Sequence, residues 1–359
     1  MREWQVLVGD VLEQLAMLPS KSIHCCVTSP PYWGLRDYGV SGQIGLEATP
    51  EDYTAKMVEV FEGVRRVLRP DGTLWVNLGD SHSSGGNGGH EQSGTFHGHL
   101  ERNGDLAGQR KKPPPGLKPK NLVGIPWRVA FALQAAGWYL RQDIIWAKPN
   151  PMPESVTDRC TKAHEYLFLL AKSERYYYDA EAIKERANGN AHSRKAIAGW
   201  AEDGAKSAIE HNRPAGVNPK ATRHGQHSRM QVDRDPRHLK FPKIKQNESF
   251  SEAISGDVVE WRNKRDVWEI ASYPYAEAHF ATFPPDLVKP CILAGCPEGG
   301  TVLDPFSGAG TTGLVAIRHH RKYIGIELNP EYAAMSVRRL ANDAPLFNGA
   351  CDNAIVSKA

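Results

Sequence analysis

Apolar and polar positions along the chain change period several times, and the changes mark out its elements. Residues 5–8 (Gln-Val-Leu-Val) read as a short strand ending in Gly9-Asp10; Val11, Leu12 and Leu15 then begin a helix with Asp10 at its N-cap. Residues 22–27 (Ser-Ile-His-Cys-Cys-Val) form an apolar run that reads as a buried strand. Tyr53, Met57, Val60, Phe61, Val64 and Leu68 recur at helical spacing, bounded by Pro50 and by Pro70-Asp71-Gly72. Residues 73–78 return to a strand pattern. This β-α-β run predicts a parallel sheet.

Further on, residues 125–133 predict an amphipathic helix ending near Gly137. Residues 138–146 and 164–171 predict two strands forming an antiparallel edge. A helix beginning near Pro284, a strand at 301–304, a glycine-rich turn, a strand ending at Glu327 and a closing helix over 331–340 complete the ordered pattern; residues 342–359 read as a tail. Two stretches break the pattern. Residues 81–121 are first rich in Gly and Ser and then basic and proline-rich, and loops this long are usually functional or disordered. In residues 181–264, Arg, Lys, His, Asn and Pro dominate.

At 359 residues, 40% apolar and 24% charged, the chain can bury a substantial core as one large domain or two. No apolar run approaches the ~20 residues of a membrane span, and the N-terminus lacks the shape of a signal peptide, so the expectation is a cytoplasmic protein without a membrane partner. Six cysteines, at 25, 26, 160, 291, 296 and 351, include no Cys-x-x-Cys pair, and neither zinc nor a disulfide framework is expected. Net charge is only +3, but residues 186–245 carry 13 Lys and Arg against 5 Asp and Glu. A basic segment on an otherwise acidic body suits a polyanionic partner, although such a run is also what a solvated insertion looks like.

Two motifs carry chemistry. The first is Ser29-Pro30-Pro31-Tyr32, after the strand at 22–27. Two prolines end the strand ladder, because neither donates a backbone hydrogen bond, and a hydroxyl and an aromatic ring are left at a strand's carboxyl end, where open α/β sheets bind ligands. The second is Asp304-Pro305-Phe306-Ser307-Gly308-Ala309-Gly310-Thr311-Thr312-Gly313, followed by a strand ending Glu327-Leu328-Asn329-Pro330.

Together, in this order, the motifs resemble the β class of S-adenosylmethionine-dependent DNA amino-methyltransferases, over roughly residues 4–180 and 265–341. The resemblance implies a Rossmann-like α/β fold with a mostly parallel sheet, a circularly permuted motif order and an inserted target-recognition region. It divides the chain into a catalytic half (1–180, with the loop 81–121 as a mobile flap near the DNA), a recognition insertion (181–264), a cofactor half (265–341) and a tail (342–359). Its implied catalytic residues are Ser29, Pro30, Pro31 and Tyr32. For the cofactor it implies Asp10 near the adenine, Phe283 beside the methionine end, and Asp304, Phe306, Gly308, Gly310, Thr311, Thr312, Glu327 and Asn329. S-adenosylmethionine is the methyl donor, with no metal, and the partner is double-stranded DNA. A homodimer would suit a two-fold symmetric target.

The chemistry fits these residue types. An exocyclic amine is a poor nucleophile because its lone pair is delocalised into the ring. Hydrogen bonds from both of its N–H groups, one to Ser29 and one to the Pro30 carbonyl, localise that pair. Pro31 restricts the residue before it and so aims the carbonyl. Tyr32 can stack on a base that has left the duplex. Gly308 and Gly310 let the backbone approach a ligand, and Glu327 can accept both ribose hydroxyls. In the basic insertion, Arg223, His224, Gln226, His227 and Arg229 form the densest cluster of base-reading side chains.

Other readings compete. Gly308-Ala309-Gly310-Thr311-Thr312-Gly313 also matches a dinucleotide-binding fingerprint, but no hydride-transfer constellation accompanies it. Pro290-Cys291 is the dipeptide of a cysteine-nucleophile route to 5-methylcytosine, yet it sits in a helix before the cofactor motif and reads as packing. Protein-amide and RNA methyltransferases are the nearest functional alternatives. The amine, cytosine N4 or adenine N6, is left open by the sequence; in the family, Ser in the first motif position leans toward cytosine.

Overall fold

A computed structural model describes residues 4–35, 37–83, 116–187, 261–272, 283–343 and 355–357. The chain divides into two units, Met1–Ile183 with Lys264–Ala359, and Lys184–Asn263. In chain order the elements are β1 (Trp4–Val8), α1 (Val11–Met17), β2 (Ile23–Thr28), α2 (Pro50–Val67), β3 (Leu68–Leu78), α3 (Ile125–Ala135), β4 (Tyr139–Ala147), β5 (His164–Ala171), β6 (Glu185–Arg186), β7 (Trp261–Arg262), β8 (Val267–Glu269), α4 (Pro285–Gly295), β9 (Thr301–Asp304), α5 (Thr311–Arg318), β10 (Lys322–Glu327), α6 (Pro330–Asp343) and β11 (Ile355–Ser357).

Nine strands of the first unit form one sheet in the order β11-β1-β10-β9-β2-β3-β5-β4-β8. All neighbours pair in parallel except β5, which runs antiparallel to both β3 and β4. The antiparallel pairing expected of residues 138–146 and 164–171 is therefore present. The three-residue β8, too short to show in the sequence pattern, lies outside β4 and closes that side.

Local sequence accounts for the helices. Thr49 caps α2 by accepting from Asp52 N at 3.1 Å, Pro50 opens its first turn, Glu51 and Asp52 sit at its positive end, and Arg65 and Arg66 at its negative end. Asp10 caps α1 as expected, accepting from Leu12 N at 2.9 Å. Successive residues of the strands face opposite sides. Cys26, Leu74, Val76 and Phe168 pack with Leu15, Val60 and Val129 of the first three helices. Cys25, Val27, Trp75 and Leu167 pack on the other face with Leu287, Ile292, Leu314 and Leu340 of the last three. Burial on both faces explains why β2 reads as a continuous apolar run.

From β2 the chain crosses through α2 to β3 on one side; from β9 it crosses through α5 to β10 on the other. The adjacent strands β2 and β9, paired through Cys25–Val302 and Cys26–Leu303, thus flank the topological switch point. Their carboxyl ends open the crevice where such sheets bind ligands.

The loop expected to be a flap has a closed neck: Ser83 N donates to Asn121 O (2.8 Å), Lys120 N to Ser83 O (2.9 Å), and His82 bridges Leu122. Residues 84–115 lie outside the described residues. In the second unit β6 pairs antiparallel with β7, Arg262 Nε donates to Glu185 Oε1 at 2.8 Å, and the Arg186 guanidinium sits 5.8 Å from the Trp261 ring centre. The Arg223, His224, Gln226, His227 and Arg229 cluster lies outside the described residues.

Candidate active site

Ser29 to Tyr32 emerge from β2 directly over the crevice. Tyr53 of α2 donates its hydroxyl to the Pro31 carbonyl at 2.8 Å, which pins the turn from below. The Tyr32 ring packs on the backbone of Gly79: a Cβ on Gly79 would lie 2.6 Å from Tyr32 Cε2. Tyr32 Oη donates to Glu165 Oε2 at 2.6 Å. Enclosure, then the adjacent Glu165 charge, drives the phenol pKa well up.

The carboxyl edge of the sheet brings further polar groups to the same place. Asn77, near the end of β3, donates Nδ2 to Glu165 Oε2 (3.2 Å) and to the Tyr166 carbonyl (3.1 Å). Its Oδ1 lies 3.3 Å from Ser29 Oγ and 3.1 Å from Tyr32 Oη. Glu165 stands at the start of β5, which reaches this edge because it runs antiparallel. Lys148, just past β4, forms an ion pair with Glu165 and lies 4.3 Å from the Trp146 ring centre. Burial alone would raise the Glu165 pKa; the Lys148 charge and the bonds from Lys148, Tyr32 and Asn77 outweigh it and hold the carboxyl below its ordinary value. Asp80, three residues past Asn77, caps α3 by accepting from Gly124 N (2.9 Å) and Ile125 N (3.2 Å), and Lys162 donates to its carbonyl.

Across the switch point the glycine-rich loop follows β9. Asp304 is fully buried and accepts from Thr28 Oγ1 (2.7 Å), Thr312 Oγ1 (2.7 Å) and Phe306 N (3.1 Å). Its burial pushes the carboxyl up to about 6. The Asp304 and Thr312 side chains are thus committed to each other and to Thr28, shaping the loop. Gly310 has φ +75°, and a Cβ there would lie 2.3 Å from Ser336 Oγ, so helix α6 packing requires its glycine. Gly308 has φ +51°, and a Cβ there would meet only Phe306 O, at 4.0 Å. Thr311 Oγ1 accepts from Arg339 Nη1 at 3.0 Å.

Glu327 ends β10 with Oε2 accepting from Gly308 N (2.8 Å) and Oε1 from Asn329 N (2.9 Å). Burial raises its pKa. Asn329 in turn accepts from Glu331 N at 2.9 Å, starting α6. Pairing of Val8 with Glu327, and Gly9 N to Glu327 O at 3.0 Å, bring Asp10 to the same edge. Phe283 precedes α4 and is partly buried against the core on that face, and Phe306 packs on the other. The donor set fits S-adenosylmethionine: an open glycine backbone, a helix N-terminus and two carboxylates meet at the ends of adjacent strands.

Sequence reasoning missed Tyr53, Asn77, Gly79, Lys148 and Glu165. The Pro290-Cys291 dipeptide is inert as expected: Cys291 is fully buried, its Sγ bonds to Leu287 O at 3.2 Å, and burial pushes the thiol pKa far up. Among the described residues no helix is long and apolar enough to cross a membrane.

The N6_N4_Mtase family model, described as DNA methylase, matches residues 23–338. The chain is 43% identical over 336 residues to the type II methyltransferase M.Cfr9I of Citrobacter freundii, covering 93% of this chain and 87% of that one. Two solved structures share the fold. The putative DNA modification methylase TTHA0409 of Thermus thermophilus, complexed with S-adenosyl-L-methionine, aligns with a TM-score of 0.52 at 22% identity, covering 99% of each chain. The cytosine-N4-specific PvuII DNA methyltransferase aligns with a TM-score of 0.54 at 18% identity, covering 94% of this chain and 86% of that one. The chain belongs to the S-adenosylmethionine-dependent DNA amino-methyltransferases, which methylate the exocyclic amine of cytosine or adenine.

Proposed function

We propose that the chain is a type II modification enzyme that methylates N4 of a cytosine flipped out of duplex DNA, with Ser29, Pro30, Pro31 and Tyr32 as its catalytic residues. The observation that carries this reading is the tie at the switch point: Thr28, the residue before Ser29, is bonded to Asp304 at the base of the glycine-rich loop. Amine and methyl donor are thereby brought to adjacent strand ends. Cytosine is preferred because the first motif position is Ser.

S-adenosylmethionine, when bound, supplies an electrophilic methyl carried on a sulfonium. Glu327 and Asp10 would hold its ribose and adenine, and the backbone at Gly308 its methionine part, with Asp304 and Thr312 fixing the loop. Phe283, Phe306, Gly310, Thr311 and Asn329 complete the walls. Ser29 Oγ and the Pro30 carbonyl accept from the two amine N–H groups, and Tyr32 stacks on the base. As the amine nitrogen took the methyl, the methyl's bond to the sulfonium sulfur would break to leave a neutral thioether, and the surplus amine proton would pass to water. Alignment is the main catalytic contribution, because reacting atoms held in line avoid most of the entropic cost of meeting.

Domain roles follow from the same reading. Residues 1–180 and 265–341 are the two halves of one methyltransferase domain, and 181–264 read the target. Action on duplex DNA would go with a cytoplasmic enzyme, and a homodimer would match a symmetric site. The test is transfer of labelled methyl to duplex DNA, digestion to nucleosides and chromatographic separation. The label should co-elute with N4-methyldeoxycytidine. Label in N6-methyldeoxyadenosine would reassign the base, and label in 5-methyldeoxycytidine or in protein would overturn the reading.

A further inference from the structure

Ser29 can help an amine only as an acceptor, so its own hydroxyl hydrogen must point away from the base. A serine hydroxyl rotates freely and has one donor and two acceptor sites. Something must fix its rotation, and the network beneath it has the required polarity.

Asn77 is the key. Its Nδ2 faces Glu165 Oε2 and the Tyr166 carbonyl, at 3.2 and 3.1 Å. An ionised carboxylate and a carbonyl are acceptors only. The opposite amide orientation would put Oδ1 against both of them, so the flip is settled by its partners. Oδ1 is therefore turned toward Ser29 Oγ at 3.3 Å. Tyr32 has one hydroxyl proton, and its bond to Glu165, at 2.6 Å, is the shorter and charge-assisted one. That leaves Ser29 as a donor, to Asn77 Oδ1 at 3.3 Å in preference to the longer contact with Tyr32 Oη at 3.5 Å, with its lone pairs free for the amine. The arrangement depends on Glu165 staying an acceptor, and Lys148, held against Glu165 and the Trp146 ring, keeps it one.

We infer that Glu165, with Lys148 as its counter-ion, is a positioning residue that sets the hydrogen-bond polarity of Ser29 through the amide of Asn77. The inference rests on the proposed role of Ser29 as the amine's acceptor. A neutral amide at 165 can present N–H to Asn77, whose amide can then turn over, giving up its bond to the Tyr166 carbonyl, and aim its own Nδ2 at Ser29. Ser29 would accept from Asn77 and point its hydrogen at the amine, which opposes the amine's own N–H.

The experiment is a double-mutant cycle in kcat on duplex DNA, with S-adenosylmethionine affinity measured by calorimetry for each variant. Glu165→Gln should lower kcat about a hundredfold and leave cofactor affinity within about twofold. Ser29→Ala should also be slow. Ser29→Ala/Glu165→Gln should be no slower than Ser29→Ala alone, because the polarity of an absent hydroxyl cannot matter; interacting residues depart from additivity in this way. Multiplying losses, or wild-type kcat in Glu165→Gln, would overturn the inference while leaving Ser29 as the acceptor. Wild-type kcat in Ser29→Ala would instead overturn the reading of Ser29 itself. Should Glu165→Gln not fold, Asn77→Ala carries the same cycle: about tenfold lower kcat alone, no further loss on top of Ser29→Ala, and multiplying losses again contradict it.

Discussion

Thr28 and Asp304 are 276 positions apart in the chain, and their side chains meet at 2.7 Å inside the sheet. One hydrogen bond thus joins the strand that presents the Ser29–Tyr32 turn to the strand that presents the glycine-rich loop. Because Asp304 is buried, its charge is costly, and this cost gives a measurable signature.

Asp304 is raised to about 6 in the fold, against an ordinary value near 4. A carboxyl raised on folding stabilises most when protonated, and that contribution is lost as pH rises through about 6. Two units correspond to roughly 3 kcal/mol. Asp304→Asn does not titrate. The stability of wild type relative to this variant should therefore fall between pH 4 and pH 7, as read by denaturation at both ends. A difference that is flat with pH, or that rises, contradicts the assignment.

Gly79→Ala should disturb Tyr32 without unfolding the sheet. The new Cβ would stand 2.6 Å from Cε2 of the ring, so the ring must move. We expect kcat to fall about tenfold or more and the melting temperature to shift by only a few degrees. An unchanged kcat would show that the ring's position is not critical.

Glu327→Ala should weaken S-adenosylmethionine binding about ten- to a hundredfold, the worth of hydrogen bonds to a charged group. It would remove the proposed acceptor for ribose hydroxyls and also unpairs Gly308 N and Asn329 N. Burial raises the Glu327 pKa, so protonation begins at higher pH than for an ordinary Glu. Affinity in the wild type should drop on acidification, and this drop should be absent in the variant. Calorimetry across pH checks both statements.

Exchanging residues 186–245 for the matching segment of a related enzyme should change which sequence is methylated. Phosphate contacts from its Lys and Arg would make binding fall steeply with salt, and loss of one such contact would flatten that slope. Sequencing the methylated sites reads the outcome. Retention of the original target would move recognition elsewhere, with residues 81–121 the next candidate.

Much of this was legible in the chain. The alternation of β-α-β and the two motifs define the fold and the ends of β2, β9 and β10, because burial on both faces leaves continuous apolar runs. Tyr53 was legible as an apolar helix position, but its hydroxyl bond to Pro31 was not. Asn77, Lys148 and Glu165 come from the ends of three strands, and only the antiparallel course of β5 brings Glu165 to the edge shared by the other two. No local spacing encodes that meeting. The tightness around Gly79 was hidden for the same reason, since Tyr32 lies 47 positions earlier in the chain.

In the proposed reaction the turn after β2 holds the target base. That role is tested most directly by Tyr32→Ala, assayed for labelled methyl transfer to duplex DNA alongside calorimetric titration with S-adenosylmethionine. Loss of stacking should lower turnover about a hundredfold or more, while cofactor affinity stays within about threefold, since stacking is worth on the order of 1–3 kcal/mol per base and orientation adds to it. Wild-type turnover in this variant would show that the base is held elsewhere.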